Sequence, residues 1–235
     1  MVEDGRERLR SNPYPGRGFI LGLDASGRYA LQIYFITARS AGSKNRILEI
    51  EGEDVRTQPF DRAERSDDPN IWYRAIAHAG DRHVVSNGVH TDLIIDYLGS
   101  GRGFWDAVQQ TSFETDAPNF TPRIAGMTDL ADGRCETSFA MVSRTPTGKA
   151  KHDIYGYDPK PGTGHCFHTY TGDGNPVPAY TGRPYEIELP GTPDEIMAGI
   201  WDNLLPADKR VAIALKIIDL ESRQIVALKV TNTLG

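Results

Sequence analysis

The stretch GFILGLDASGRYALQIYFIT, residues 18–37, constrains the fold more than any other. Two runs rich in β-branched and aromatic residues, 18–23 and 29–37, flank DASG, whose Asp24, Ser26 and Gly27 are turn formers, so the segment reads as an antiparallel hairpin. Runs of the same kind recur along the chain as RILEI, DVRTQPF, IWYRAIAH, RHVVSN, PRIAGMTDL, TSFAMVSR, HDIYGY, GHCFHTY and PYEIEL. The last two runs, RVAIALKIIDL and QIVALKVTN, are joined by ESR into a second hairpin. Helical patterns are few. HTDLIIDYLGSG offers Thr91 or Asp92 as N-cap and Gly99 beyond its end, and GFWDAVQQTSF is a second. In TPDEIMAGIWDNLL, Thr192 caps, Pro193 takes the first helical position and Glu195 completes a capping box. Many strands with a few separated helices predict an α+β fold in which helices cover largely antiparallel sheets.

The chain of 235 residues is long enough to bury a sizeable core, and 39% hydrophobic with 25% charged residues is an ordinary globular balance. A net charge of -6 argues against a non-specific nucleic-acid binder, which needs a broad basic surface. No apolar stretch approaches the length of a membrane span, and MVEDGRERLRSNPYPG lacks a secretory apolar segment, so a cytoplasmic protein is expected. Cys135 and Cys166 show no metal-site spacing and read as reduced structural thiols. The charged stretch DRAERSDDPN, 61–70, reads as a surface loop, leaving one domain over residues 1–235.

Two motifs invite chemistry without securing it. His165 and His168 beside Cys166 would share a face on a helix, but their neighbours favour a strand, where positions three apart face opposite sides and a shared metal is disfavoured. TGDGNP lacks the lysine and hydroxyl residue of a P-loop and reads as a tight turn. No nucleophile elbow of the GxSxG type occurs.

The hairpin delivers ARSAGSKNRI, residues 38–47, a basic turn on an acidic protein: either a solvated turn or a seat for an anion. Together with NPYPGRG at 12–18, VVSNGVHTD at 84–92, FETDAPNFTPRIAG at 113–126 and HTYTGDGNP at 168–176, this region resembles the archaeal-type IMP cyclohydrolases and their bacterial relatives. The motifs recur in the same order and at similar spacing across nearly the whole chain. The resemblance implies a four-layer αββα sandwich of two antiparallel sheets, similar to the N-terminal-nucleophile hydrolases. The chain begins Met1 and Val2 with no terminal nucleophile, so covalent attack from that position is not expected.

The implied reaction is dehydrative closure of the purine ring of 5-formamidoimidazole-4-carboxamide ribonucleotide (FAICAR) to IMP. The resemblance implies no metal, no organic cofactor and a homo-oligomer. The alternatives are a relative acting on a different ribonucleotide and a non-catalytic purine-nucleotide-binding module.

Matched to the family, Arg46 would orient the carboxamide, Tyr73 would donate to the formyl oxygen, and Glu114 would move protons. Read without the resemblance, the same residues are a solvated turn arginine, a core tyrosine and an exposed loop carboxylate beside Asp116. Phosphate and ribose would be met by Arg39, Ser43, Lys44, Asn45, Asn87, Gly88, Thr121 and Arg123. Asn87 and Gly88 read equally as a strand-ending turn, and Arg123 as the start of a strand. The chain departs from family usage at Ala38, at Lys44, which keeps the charge but loses the bidentate fork of an arginine, and at His90, an unexpected titratable group at the edge of the implied site.

Overall fold

The structure, a computed structural model, describes residues 4–131 and 133–235. Six strands make one sheet: β1 (Arg17–Leu23), β2 (Tyr29–Thr37), β10 (Thr163–His168), β11 (Tyr185–Glu188), β12 (Arg210–Asp219) and β13 (Ile225–Asn232), in the order β11-β10-β1-β2-β12-β13. The other is a seven-stranded meander in chain order: β3 (Arg46–Glu51), β4 (Asp54–Pro59), β5 (Arg74–Ala79), β6 (Arg82–Ser86), β7 (Arg123–Asp129), β8 (Glu136–Arg144) and β9 (Ala150–Tyr157). All recorded pairings are antiparallel, and in the first hairpin Ile20 lies opposite Ile33. The fold is α+β, with five short helices: α1 (Gly5–Ser11), α2 (Ala41–Lys44), α3 (His90–Gly99), α4 (Phe104–Val108) and α5 (Pro193–Asn203). None is long and apolar enough to cross a membrane.

The central strands β1, β2 and β12 are buried along nearly their whole length, as strands covered on both faces must be. The two sheets meet through aromatic side chains. Phe19 of β1 stacks on Phe139 of β8 at 5.6 Å and stands edge-on to Phe167 of β10. The approach is close at Gly126 of β7, where a Cβ would come within 2.5 Å of the Phe19 ring. Gly126→Ala is therefore expected to force repacking and destabilise by about 1–3 kcal/mol, lowering the melting temperature by several degrees in a thermal melt. On the outer face of the seven-stranded sheet, Ile94 and Leu98 of α3 and Phe104 of α4 pack over Val84, Ala125 and Met127. α1 and α5 lie against the other sheet, at β11 and β12.

Every strand read from the sequence is present; β9 begins two residues earlier and β10 ends two residues earlier than read, and the largest shift is in β5. IWYRAIAH enters the sheet only at Arg74; residues 69–71 form a 3-10 turn, and Tyr73 precedes the strand. Thr57 is the cause, because its hydroxyl donates to Ile71 O at 2.7 Å and accepts from Tyr73 N at 2.9 Å, bending the segment where the β4–β5 register shifts.

α5 carries the expected Thr192–Glu195 box. α3 begins at His90, with its N-cap two residues before Thr91, and includes Gly99. Its N-cap Val89 has no side chain to cap with, while Thr91 donates to Gly88 O at 3.0 Å and Asp92 pairs with Arg74 at 2.6 Å. α1 was not foreseen. It is capped by Asp4, whose Oδ1 accepts from Arg6 N at 2.9 Å, and it buries only Gly5 and Leu9, too little for a periodic signal.

Candidate active site

Antiparallel pairing brings the start of β1 beside the ends of β2 and β10, and the end of β6 beside the start of β7. Loops leaving these strand ends enclose a cavity of about 530 Å³, within the range of small-molecule sites. Its wall includes Arg17, Arg39, Ser43, Arg46, Glu114 and Thr121.

Glu114 is 2% exposed, not the solvated loop carboxylate that its sequence neighbours suggest. Its loop closes on itself: Glu114 N donates to Thr121 O at 2.9 Å, and Thr121 N donates to Asp116 Oδ1 at 2.7 Å. Arg17 Nη2 donates to Glu114 Oε2 at 2.9 Å, and Arg123 Nη1 stands 3.6 Å from Oε1. Oε1 itself accepts no hydrogen bond. One carboxylate oxygen is thus tied down and the other left open. Burial pushes the Glu114 carboxyl above its ordinary range, against the pull of the Arg17 and Arg123 guanidiniums.

Arg17 is the residue that sequence reasoning passed over, although it stands within the quoted NPYPGRG motif. It is nearly buried and donates from Nη1 to Asn87 O at 2.9 Å; burial lowers its pKa, but Glu114 together with Tyr73 and Tyr170 more than offsets that and raises it. Tyr14, Asn70 and Tyr170 also line the cavity and were not singled out.

The basic turn is neither a plain hairpin loop nor wholly solvated. Residues 41–44 form the single turn α2, with Ser40 accepting from Ser43 N at 3.2 Å. That turn presents Ser43 O to Arg46 Nε at 2.8 Å and fixes the guanidinium, which is 4% exposed. Arg39 lies over the Tyr14 ring at 4.9 Å and is held by Asp173 and by Gly174 O. Lys209 also reaches Asp173 at 2.5 Å, and that hydrogen bond leads the causes holding the carboxyl down at about 2. The TGDGNP segment is thus a turn that holds Arg39 at the cavity rim.

Other named residues sit elsewhere. Asn45 spends its amide on the 61–64 loop, donating to Asp61 O at 2.8 Å and accepting from Asp61 N at 2.8 Å. Asn87 donates to Pro122 O and accepts from Ile124 N at 2.7 Å, knitting β6 to β7. Gly88 makes room for Arg123, whose Nη1 would lie 2.2 Å from a Cβ there. Lys44 does not line the cavity, and Arg123 reaches the site through Glu114 and through Asn70 Oδ1 at 3.1 Å.

Tyr73 is 2% exposed and lines an adjoining cleft with Arg62 and Trp72; its hydroxyl meets that of Tyr34 at 2.6 Å. His90 is buried, with Nε2 donating to Ile124 O at 3.1 Å, and burial followed by the Arg123 charge holds its pKa down at about 3. It stands neutral behind the site. On β10, His165 stacks on Tyr157 while His168 meets Tyr180.

A cavity walled by guanidiniums, hydroxyls and one buried carboxylate is suited to an anionic substrate and to proton transfer within it. Comparison with known proteins narrows the field. Over 118 residues, 48% of its length, the chain is 36% identical to a protein of Methanothrix thermoacetophila named IMP cyclohydrolase, covering 57% of that protein. Proteins of the same name from Methanococcus maripaludis (strain C5) and Methanosphaera stadtmanae are 33% and 34% identical, again over 48% of the chain and 56% of their own length. The chain therefore spans little more than half of the curated relatives it matches. A family model described as IMP cyclohydrolase-like protein matches residues 14–222, a stretch that contains both sheets' central strands and every wall of the cavity, and the chain belongs to that family.

Proposed function

We propose that the protein is an IMP cyclohydrolase, closing the ring of FAICAR to give IMP and water. The observation that carries this reading is the buried Glu114, its Oε1 without a hydrogen bond, in the wall of a cavity that also carries Arg17, Arg39, Arg46, Ser43 and Thr121 beside the carboxylates Asp68 and Asp116.

In the reaction the carboxamide nitrogen attacks the formyl carbon, a C–N bond forms, and the formyl oxygen gains negative charge; the C–O bond then breaks and the oxygen leaves as water, carrying one proton from the carboxamide nitrogen and one from the formamido nitrogen. The amide nitrogen is a poor nucleophile, so holding it against the formyl carbon is worth several kcal/mol, up to roughly 7–11 in ideal intramolecular cases. Arg46, pinned by Ser43 O, would orient the carboxamide or meet the developing charge. Tyr73 would donate to the formyl oxygen. Glu114 Oε1 would take the proton from the amide nitrogen and return it to the departing oxygen.

Arg39 and Ser43, with Thr121, are the groups in the wall suited to phosphate and ribose. The attacking nitrogen belongs to the substrate, so the chemistry calls for no enzyme nucleophile. The chain reads as a single domain acting in the cytoplasm as a homo-oligomer, its sheets and helices ordered αββα as in the N-terminal-nucleophile hydrolases.

Conversion of FAICAR to IMP, followed by absorbance, tests the function, and its absence would overturn it. Isothermal titration with IMP separately tests the nucleotide cavity, since a non-catalytic binding module would still bind. Arg46→Ala is expected to lower the rate at least about tenfold, a loss of roughly 1.4 kcal/mol of transition-state stabilisation; a wild-type rate would remove Arg46 from the site.

A further inference from the structure

Two phenols meet in the core in an arrangement that leaves one proton unused. Tyr34 of β2 is fully buried and Tyr73 nearly so, and their hydroxyl oxygens lie 2.6 Å apart. Each phenol has one O–H, and a mutual hydrogen bond consumes only one of the two. Among the described residues neither hydroxyl has another partner, so the second proton is left unassigned. Position decides whose proton it is. Tyr34 lies within the central sheet, paired with Phe19 and Ala214 on the flanking strands, whereas Tyr73 sits in the bent segment that follows Asn70 and Ile71 of the cavity wall.

We infer that Tyr34 is a positioning residue: its hydroxyl donates to Tyr73 Oη and so turns the Tyr73 proton toward the formyl oxygen of a substrate in the cavity. This rests on the role proposed above for Tyr73. Desolvation supports it, because burial raises the Tyr34 pKa well above its ordinary value and keeps that phenol a donor. The guanidiniums of Arg17 and Arg46, both in the cavity wall, pull the Tyr34 value the other way without overcoming burial.

Tyr34→Phe removes one oxygen and keeps the ring. It is expected to lower kcat about tenfold while KM and the IMP dissociation constant stay within about twofold, as for an interaction made in the transition state alone. A Tyr34 that merely fills the core would leave kcat unchanged.

Wild-type kcat in Tyr34→Phe, with Tyr73→Phe impaired, overturns the positioning role and leaves the function standing. Tyr73→Phe at the wild-type rate overturns the Tyr73 role and the inference with it, as does a wild type that binds IMP without turnover. Should Tyr34→Phe fail to fold, a ring-fluorinated tyrosine at position 34, a stronger donor of nearly the same shape, is expected to change kcat at least about twofold with KM unchanged. An unchanged kcat there overturns the inference.

Discussion

Glu114→Gln is expected to lower the rate of the proposed ring closure about a hundredfold or more while leaving IMP affinity within a few-fold, the range expected when a general acid–base is removed. Gln preserves the shape of the side chain but can neither take the proton at the position of Oε1 nor carry the charge that pairs with Arg17. The wild-type enzyme should lose activity toward acid pH at a limb lying above the ordinary carboxylate range, because burial raises this carboxyl, and the limb should vanish in the variant. Removing one partner of a buried ion pair leaves the other uncompensated, a cost of about 3–5 kcal/mol in the folded state. Thermal melts with saturating IMP therefore accompany the kinetics, so that lost rate is not lost fold. A folded, IMP-binding Glu114→Gln with wild-type turnover would remove Glu114 from the chemistry.

That role could be read only in part from the chain. The sheets were legible because strand pattern is local: RVAIALKIIDL and QIVALKVTN announce β12 and β13, and the Thr192–Glu195 box announces α5. What escaped was set at long range. Glu114 looks exposed beside Asp116 and becomes buried when its loop docks on Arg17, 97 residues away. Arg17 stood in a quoted motif, but only the meeting of β1 with the end of β6 gives its guanidinium Asn87 O and Glu114 to bind. The opposite error has the same origin. Asn45 and Asn87 look like ligand donors in sequence, yet each side chain is spent on backbone groups of a neighbouring loop or strand. α1 was missed because a helix held by one cap and one apolar side chain leaves no period to read.

The second large effect is on stability and follows from histidines buried by the same packing. His83 on β6, His90 behind the site and His168 on β10 are each held down at about 3, chiefly by desolvation. A histidine whose folded value lies below its unfolded value of about 6.5 costs nothing when both states are neutral and destabilises as pH falls, because the unfolded chain binds the proton first. At about pH 5 the cost is roughly 2 kcal/mol per group, set by the unfolded value alone while the folded one stays well below 5. Three such groups cost roughly 6 kcal/mol, a large part of the 5–15 kcal/mol that typically separates folded from unfolded chains. His165, also held down by burial, adds in the same direction, and the raised Glu114 carboxyl opposes it. The melting temperature is accordingly expected to fall by more than about 10 °C between about pH 7 and pH 5. Replacing His168 with Gln should flatten the pH dependence by about one proton. A melting temperature constant across that interval would mean that these imidazoles can take up protons in the folded protein.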